Sequence, residues 1–167
     1  MKKILLGAAL ALLFIACGSK SEEIATTEAK IAVGKSLTNL SLKDQFDKVH
    51  TLGATTSKVV LALDKESAHI CNDFFITQTP EYLSEHNTQF IADVSAAPSL
   101  IRSMFIMPGL RDFKHTVLIL DDKAEAASFR SGLDSTKIII AHIKDGTITS
   151  LQTLASAQEL QEAIEKN

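Results

Sequence analysis

The chain has 167 residues, 46% hydrophobic and 22% charged, with a formal net charge of −3. That length suits one domain with its own core, and the mildly acidic balance excludes the basic surface that nucleic acid rewards. Trp is absent and Tyr82 is the only tyrosine, so stacking platforms for bases or sugars are scarce, and the eight phenylalanines are expected in the core.

Lys2 and Lys3 precede an apolar run from Ile4 to Ile15, 12 residues long. A bilayer core needs about 20 residues, so this run has the layout of a secretory signal rather than a span. Phe14-Ile15-Ala16-Cys17 follows, with small Ala16 and Gly18 on either side of the thiol. The stretch resembles a bacterial lipobox, with Phe14 departing from its first position. The resemblance implies a diacylglycerol thioether on Cys17, cleavage before it and acylation of the new amino group, and several acyl chains anchor stably where one does not. Residues 1–16 are thus expected to be a lipoprotein signal peptide. Their removal leaves 151 residues and a formal charge of −5. Gly18 after the cysteine implies outer-membrane sorting, on the periplasmic face. Residues 17–33, polar and low in aromatics, are expected to be the lipidated cysteine and a flexible tether. With Cys17 acylated, Cys71 is the one remaining thiol, which excludes an intramolecular disulfide.

Alternation over 37–42 predicts a short, mostly exposed strand, followed by a polar turn at 44–48 and a strand from Val49 to Leu52. The apolar run from Ser57 to Leu63 fits a strand buried on both faces. Helices are predicted over 70–78 and again after Pro80, with a strand over 89–94. Ser95-Ala96-Ala97-Pro98 opens a helix with one apolar stripe, Leu100, Ile101, Met104 and Phe105, and Pro108-Gly109 is expected to stop it; Met104-Phe105-Ile106-Met107 with Leu110 and Phe113 is expected as core beneath the sheet, with a partner or ligand groove as the alternative. A strand over 116–120, a helix over 122–130 and a hairpin over 137–151 follow, the hairpin turning at Asp145-Gly146 in type I′ geometry. Ser156 and Glu159 form a capping box opening the last helix, through Lys166. The order predicts an α/β domain over 34–167: a central, mostly parallel sheet, helices on both faces, a C-terminal antiparallel hairpin and an N-terminal β-hairpin extension.

The stretch Asp44-Gln45-Phe46-Asp47-Lys48-Val49-His50-Thr51-Leu52 resembles the opening of thioredoxin-like and peroxiredoxin-like proteins. The run Val59 to Leu63, followed by Asp64 to Cys71, matches their first central strand and active-site loop. The combination with a lipoprotein leader also resembles periplasmic thioredoxin-like lipoproteins of Campylobacter-like bacteria. The resemblance implies a thioredoxin-like fold, and the redox positions depart from it. Thioredoxin chemistry needs Cys-x-x-Cys, one thiolate attacking and the other resolving; the matching segment is Ala68-His69-Ile70-Cys71. A peroxiredoxin would carry Pro and Thr or Ser where Asp64 and Ala68 stand. The proline that thioredoxins place before the next-to-last long strand is absent from Phe113-Lys114-His115.

Cys71 is expected near a helix N-terminus, where a one-cysteine peroxidase or reductase could use it with an external thiol. His69 and Cys71 could form half of a soft-metal site, completed by His115, His142, Met104 or Met107. Against both stands an inert, half-buried cysteine. No Gly-rich phosphate loop, paired carboxylates or Ser-His-Asp spacing is present, and no cofactor is expected. The sequence therefore points to a lipid-anchored envelope protein without catalysis, a binding or scaffolding module whose partners are the membrane and an envelope protein.

Overall fold

The computed structural model describes residues 27–166, so the signal, Cys17 and the start of the tether lie outside the described residues. Seven strands form one sheet in the order β2-β1-β5-β4-β3-β6-β7. These are β1 (Ser41–Asp44), β2 (Val49–Thr51), β3 (Lys58–Ala62), β4 (Thr88–Asp93), β5 (Val117–Leu120), β6 (Ile138–Lys144) and β7 (Thr147–Leu154). Only β3-β4 and β4-β5 pair in parallel, and the other four pairings are antiparallel. The expected mostly parallel sheet thus holds for the three central strands alone, because both hairpins add antiparallel strands outside them.

β3 is buried along its whole length, as its apolar run requires. From β3 the chain moves outward through β4 to β5. The connections over one face carry α1 (Lys65–Phe75), α2 (Tyr82–Glu85) and a helical rod over 99–111. It then returns across the other face through α5 (Lys123–Arg130) to β6. α6 (Ala157–Glu165) closes the first face beside α1. Two cores result. Phe74, Phe75, Phe90, Val60, Ile140 and Leu160 fill one face, and Leu61, Ile91, Leu118, Ile139, Phe129 and Ile148 fill the other. Lys58, within β3, sends Nζ to the Ile164 carbonyl at 2.8 Å. Burial pushes its pKa below the ordinary lysine value, and the last carbonyls of α6 are the partner that a buried cation needs.

The domain begins earlier than residue 34. Ile31 is buried, the Lys30 amide donates to the Ser128 carbonyl at 2.9 Å, and the Gly34 amide donates to the Ile148 carbonyl at 2.8 Å. Residues 27–33 therefore dock on the domain, as one apolar side chain and a few backbone bonds suffice to hold them. Leu37, Leu40 and Leu42 are buried, not exposed as alternation suggested; they cover the second core. Asp145 and Gly146 both have positive φ, 50° and 73°, as a type I′ turn demands. Ser156 caps α6 as expected, its Oγ accepting from the Glu159 amide at 3.2 Å.

The rod over 99–111 departs most from expectation. It consists of α3 (Ser99–Ile101), a π-helical turn (Arg102–Ile106) and α4 (Met107–Arg111). Pro108 does not stop it. A proline ring clashes with the carbonyl four residues back in an α-helix. Here it follows the π turn, in which the Met107 amide reaches back to the Arg102 carbonyl, so the ring enters a wider coil. The extra residue in the π turn also rotates the two halves relative to each other. Ile106, Met107, Leu110 and Phe113 pack on the first core. Leu100, Ile101, Met104 and Phe105 face outward, 63%, 42%, 58% and 66% exposed. Phe46 is also exposed, so the phenylalanines are not all core.

Candidate functional site

The centre of interest is the N-terminus of α1, directly after β3, at the carboxyl ends of the parallel strands, where open α/β sheets place ligands. Only Leu63 and Asp64 lie between them. Asp64 is the N-cap, and its Oδ1 accepts from the Glu66 amide at 3.0 Å. Ser67, buried, closes the reciprocal half: its Oγ accepts from the Asp64 amide at 3.2 Å and lies 3.3 Å from the Ser135 carbonyl. This capping box satisfies the free amides that would otherwise stabilise an anion or thiolate. Asp64 and Ser67 are spaced as the two residues of a Cys-x-x-Cys would be, and neither is a redox nucleophile.

Cys71 is therefore not near the helix N-terminus. α1 opens at Lys65, so Cys71 lies two turns in, fully buried among the first-core side chains. Burial pushes its thiol far above the ordinary value. The helix dipole has faded there, since its effect is confined to the first turn. His69 is exposed, on another side of α1; residues two apart on a helix do not face each other. The structure brings Cys71 and His69 to no common site. Among the described residues no three His, Cys, Asp or Glu side chains come together as metal ligands. His115 is buried with Nε2 2.9 Å from the Phe75 carbonyl, while His142 belongs to β6 and Met104 faces outward.

The next-to-last strand is β6, so the segment before it is Ser135-Thr136-Lys137, and Phe113-Lys114-His115 instead precedes β5. Ser135-Thr136-Lys137 also lacks proline.

Two features escaped the sequence reading. Gln45, only 1% exposed, bridges the N-terminal hairpin to β5: Nε2 donates to the His115 carbonyl at 2.8 Å, and Oε1 accepts from the Val117 amide at 2.9 Å. Its neighbour Asp44 holds the turn. Oδ1 accepts from the Phe46 and Lys48 amides at 2.8 and 3.0 Å, and Oδ2 lies 2.7 Å from His50 Nε2. Burial raises the Asp44 pKa, but the His50 and backbone hydrogen bonds outweigh it and hold the carboxyl below the ordinary value. The second feature is a cleft of about 520 Å³ between the rod, β1 and the end of β5, lined by Lys43, Arg102, Ser103, Arg111, Asp121 and Glu125 among others. Arg102 donates to the Asp121 carbonyl at 2.6 Å, and Arg111 Nε to the Gln45 carbonyl at 3.1 Å. Each arginine reads in sequence as a solvated charge, and it is the rod, continuing through Pro108, that sets both along one cleft against β1 and the end of β5.

No family model matches the sequence, and no curated protein matches it. Solved structures do match. A protein assigned as the thiol:disulfide interchange protein DsbE of Chlorobium tepidum is 17% identical, with 80% of this chain and 95% of that chain covered at a TM-score of 0.50. The bacterioferritin comigratory protein of Xanthomonas campestris, described for alkyl peroxide reduction, is 10% identical, with 83% and 98% covered at 0.50. Peroxidoxin BcpB of Mycobacterium tuberculosis is 17% identical, with 80% and 94% covered at 0.47. The domain has a thioredoxin-like α/β fold; at these identities the likeness extends to the fold and no further.

Proposed function

We propose that this chain is an envelope protein held to a membrane through acylated Cys17, whose thioredoxin-like domain binds or scaffolds an envelope partner and does not exchange disulfides. The observation that carries this reading is the capped N-terminus of α1. Asp64 and Ser67 stand where the fold would need an attacking thiolate, and the nearest sulfur, Cys71, is buried two turns away. A thiolate nucleophile must be ionised and reachable, and Cys71 is neither.

The rival is a one-cysteine peroxidase or reductase on this redox-type fold. Maleimide labelling of the purified chain, with Cys17 acylated or replaced by Ser, separates the two. Cys71 is expected to stay unmodified from pH 6 to about pH 9, above the range where an ordinary free thiol of pKa about 8.5 begins to ionise, and to react at once in urea. Rapid native labelling, or consumption of peroxide with an external thiol that is lost in Cys71→Ser, would overturn the proposal. Mass spectrometry of the N-terminal peptide tests the anchor, with diacylglycerol on Cys17 the expected modification.

A further inference from the structure

We infer that the cavity between α2 and the amino ends of β4 and β5 is a binding site for a primary ammonium carried on a short aliphatic chain. The inference depends neither on the Cys17 anchor nor on the loss of disulfide exchange.

The cavity holds about 280 Å³ and lies at the opposite end of the sheet from the capped start of α1. Five polar side chains that line it have already given a proton to the protein. His115 Nε2 lies 2.9 Å from the Phe75 carbonyl, and His50 Nε2 lies 2.7 Å from the Asp44 carboxylate. Carbonyl and carboxylate oxygens accept, so each neutral ring carries its proton on Nε2 and keeps a lone pair on Nδ1. Ser84 Oγ donates to the Glu81 carbonyl at 2.7 Å, and Thr88 Oγ1 to the His86 carbonyl at 3.0 Å. Gln89 Nε2 gives one of its two protons to the Thr51 carbonyl at 3.3 Å. What these walls still offer is mostly lone pairs. His115 is 2% exposed, and its Nδ1 has no partner among the described residues. A buried acceptor is costly to leave unpaired, so the occupant must be a donor.

An ammonium has three donors and no acceptor, the complement of such a lining. An alcohol would bring lone pairs of its own, and an anion would bring nothing else. No Lys, Arg, Asp or Glu side chain lines the cavity, so no cation of the chain already fills it. Asp44 stands one hydrogen bond behind His50, and its negative charge makes that ring a stronger acceptor. Pro80, Leu83, Phe90 and Leu118 supply apolar wall for the carbon chain. Ser84 and Thr116 are exposed and open the cavity to solvent. A metal ion is the poorer occupant, because among the described residues no three ligating side chains converge.

The test uses the full chain with Cys17→Ser at about pH 8, where an ordinary imidazole is neutral. The ligand tried is n-butylamine, with 1-butanol and butyrate as controls at matched ionic strength. Nitrogen NMR of the histidine rings reads the contact, and thermal unfolding reads the affinity. Butylamine is expected to move the Nδ1 resonances of His115 and His50 and to raise the melting temperature with concentration. Butanol and butyrate are expected to do neither. Ser84→Ala, exposed on α2, is expected to keep the fold and weaken butylamine binding about tenfold, as the loss of one hydrogen bond to a charged group does. Ser84→Trp, which blocks the opening, is expected to abolish binding at an unchanged melting temperature of the free protein. Nα-acetyl-lysine amide forms a second arm: its exclusion assigns the site to free amines, and its equal binding extends the site to a lysine side chain. Unmoved His115 resonances at the highest soluble butylamine, a shift confined to His50, or butanol binding as tightly as butylamine would each overturn the inference.

Discussion

Replacing Gln45 by Leu should destabilise the domain more than any other single change in its N-terminal hairpin. The side chain behaves as an inserted peptide unit, its amide facing the His115 carbonyl and its carbonyl facing the Val117 amide at the start of β5. Both residues are buried, 2% and 0% exposed, so neither group can turn to solvent. Leucine fills similar space but leaves both unpaired. Each buried orphan costs about 1–3 kcal/mol, and the added apolar surface returns about 1 kcal/mol. The net expectation is a loss of about 1–5 kcal/mol, from a total that for domains of this size is about 5–15 kcal/mol. At about 3 °C per kcal/mol the melting temperature should fall by about 3–15 °C. Urea unfolding followed by circular dichroism measures it, with Gln45→Glu as the shape control. Glu keeps the acceptor for Val117 and sets an oxygen against the His115 carbonyl, so it should also destabilise. A Gln45→Leu chain within about 0.5 kcal/mol of the parent at unchanged m-value would refute the reasoning, because it would mean that these groups find other partners.

Gly146→Ala should cost about 1–3 kcal/mol: Gly146 has φ +73°, and an added Cβ would run into the Thr38 methyl where residues 37 and 38 cross the hairpin turn. An unchanged urea midpoint would show that Thr38 yields freely. Acid sensitivity should carry an Asp44 component. A carboxyl whose folded pKa is depressed contributes stability that is complete above the ordinary aspartate value of 3.8 and is lost as pH falls through its lower folded value. Urea midpoints from about pH 6 to about pH 2.5 should therefore decline less steeply in Asp44→Asn than in the parent, and parallel curves would sink the assignment.

Periodicity made the central strands and the closing hairpin legible, because those residues answer to sheet burial and turn chemistry. The Ser156 cap and the Asp145-Gly146 turn were readable for the same local reason, although the Glu159 carboxylate accepts from the Ala155 amide rather than completing the expected box. The start of α1 was not. Lys65 to Ala68 carry no apolar stripe, and Asp64 with Ser67 makes its cap with an acid first and a hydroxyl third, the reverse of the commoner order. Reading Ala68 to Cys71 as a worn redox motif therefore set the helix start too late and brought Cys71 too near it. Gln45 was out of reach for a different reason: its partner Val117 lies 72 residues away, and a glutamine in a polar turn reads as solvated until β5 is placed beside it. The outward face of the rod was hidden by the π turn, which breaks the 3.6-residue period on which the stripe was drawn.

The docked segment from Thr27 to Ser36 has a mechanical consequence. It is held by Ile31, by a few backbone bonds to Ser128 and Ile148, and by the bridge from Ser36 to Thr147. Any pull arriving from the N-terminal side loads these attachments one after another, as a seam is unpicked. The strands β3, β4 and β5 lie several pairings further in and feel that load last. A domain whose segment 27–36 is docked in this way has slack to release before its fold is at risk.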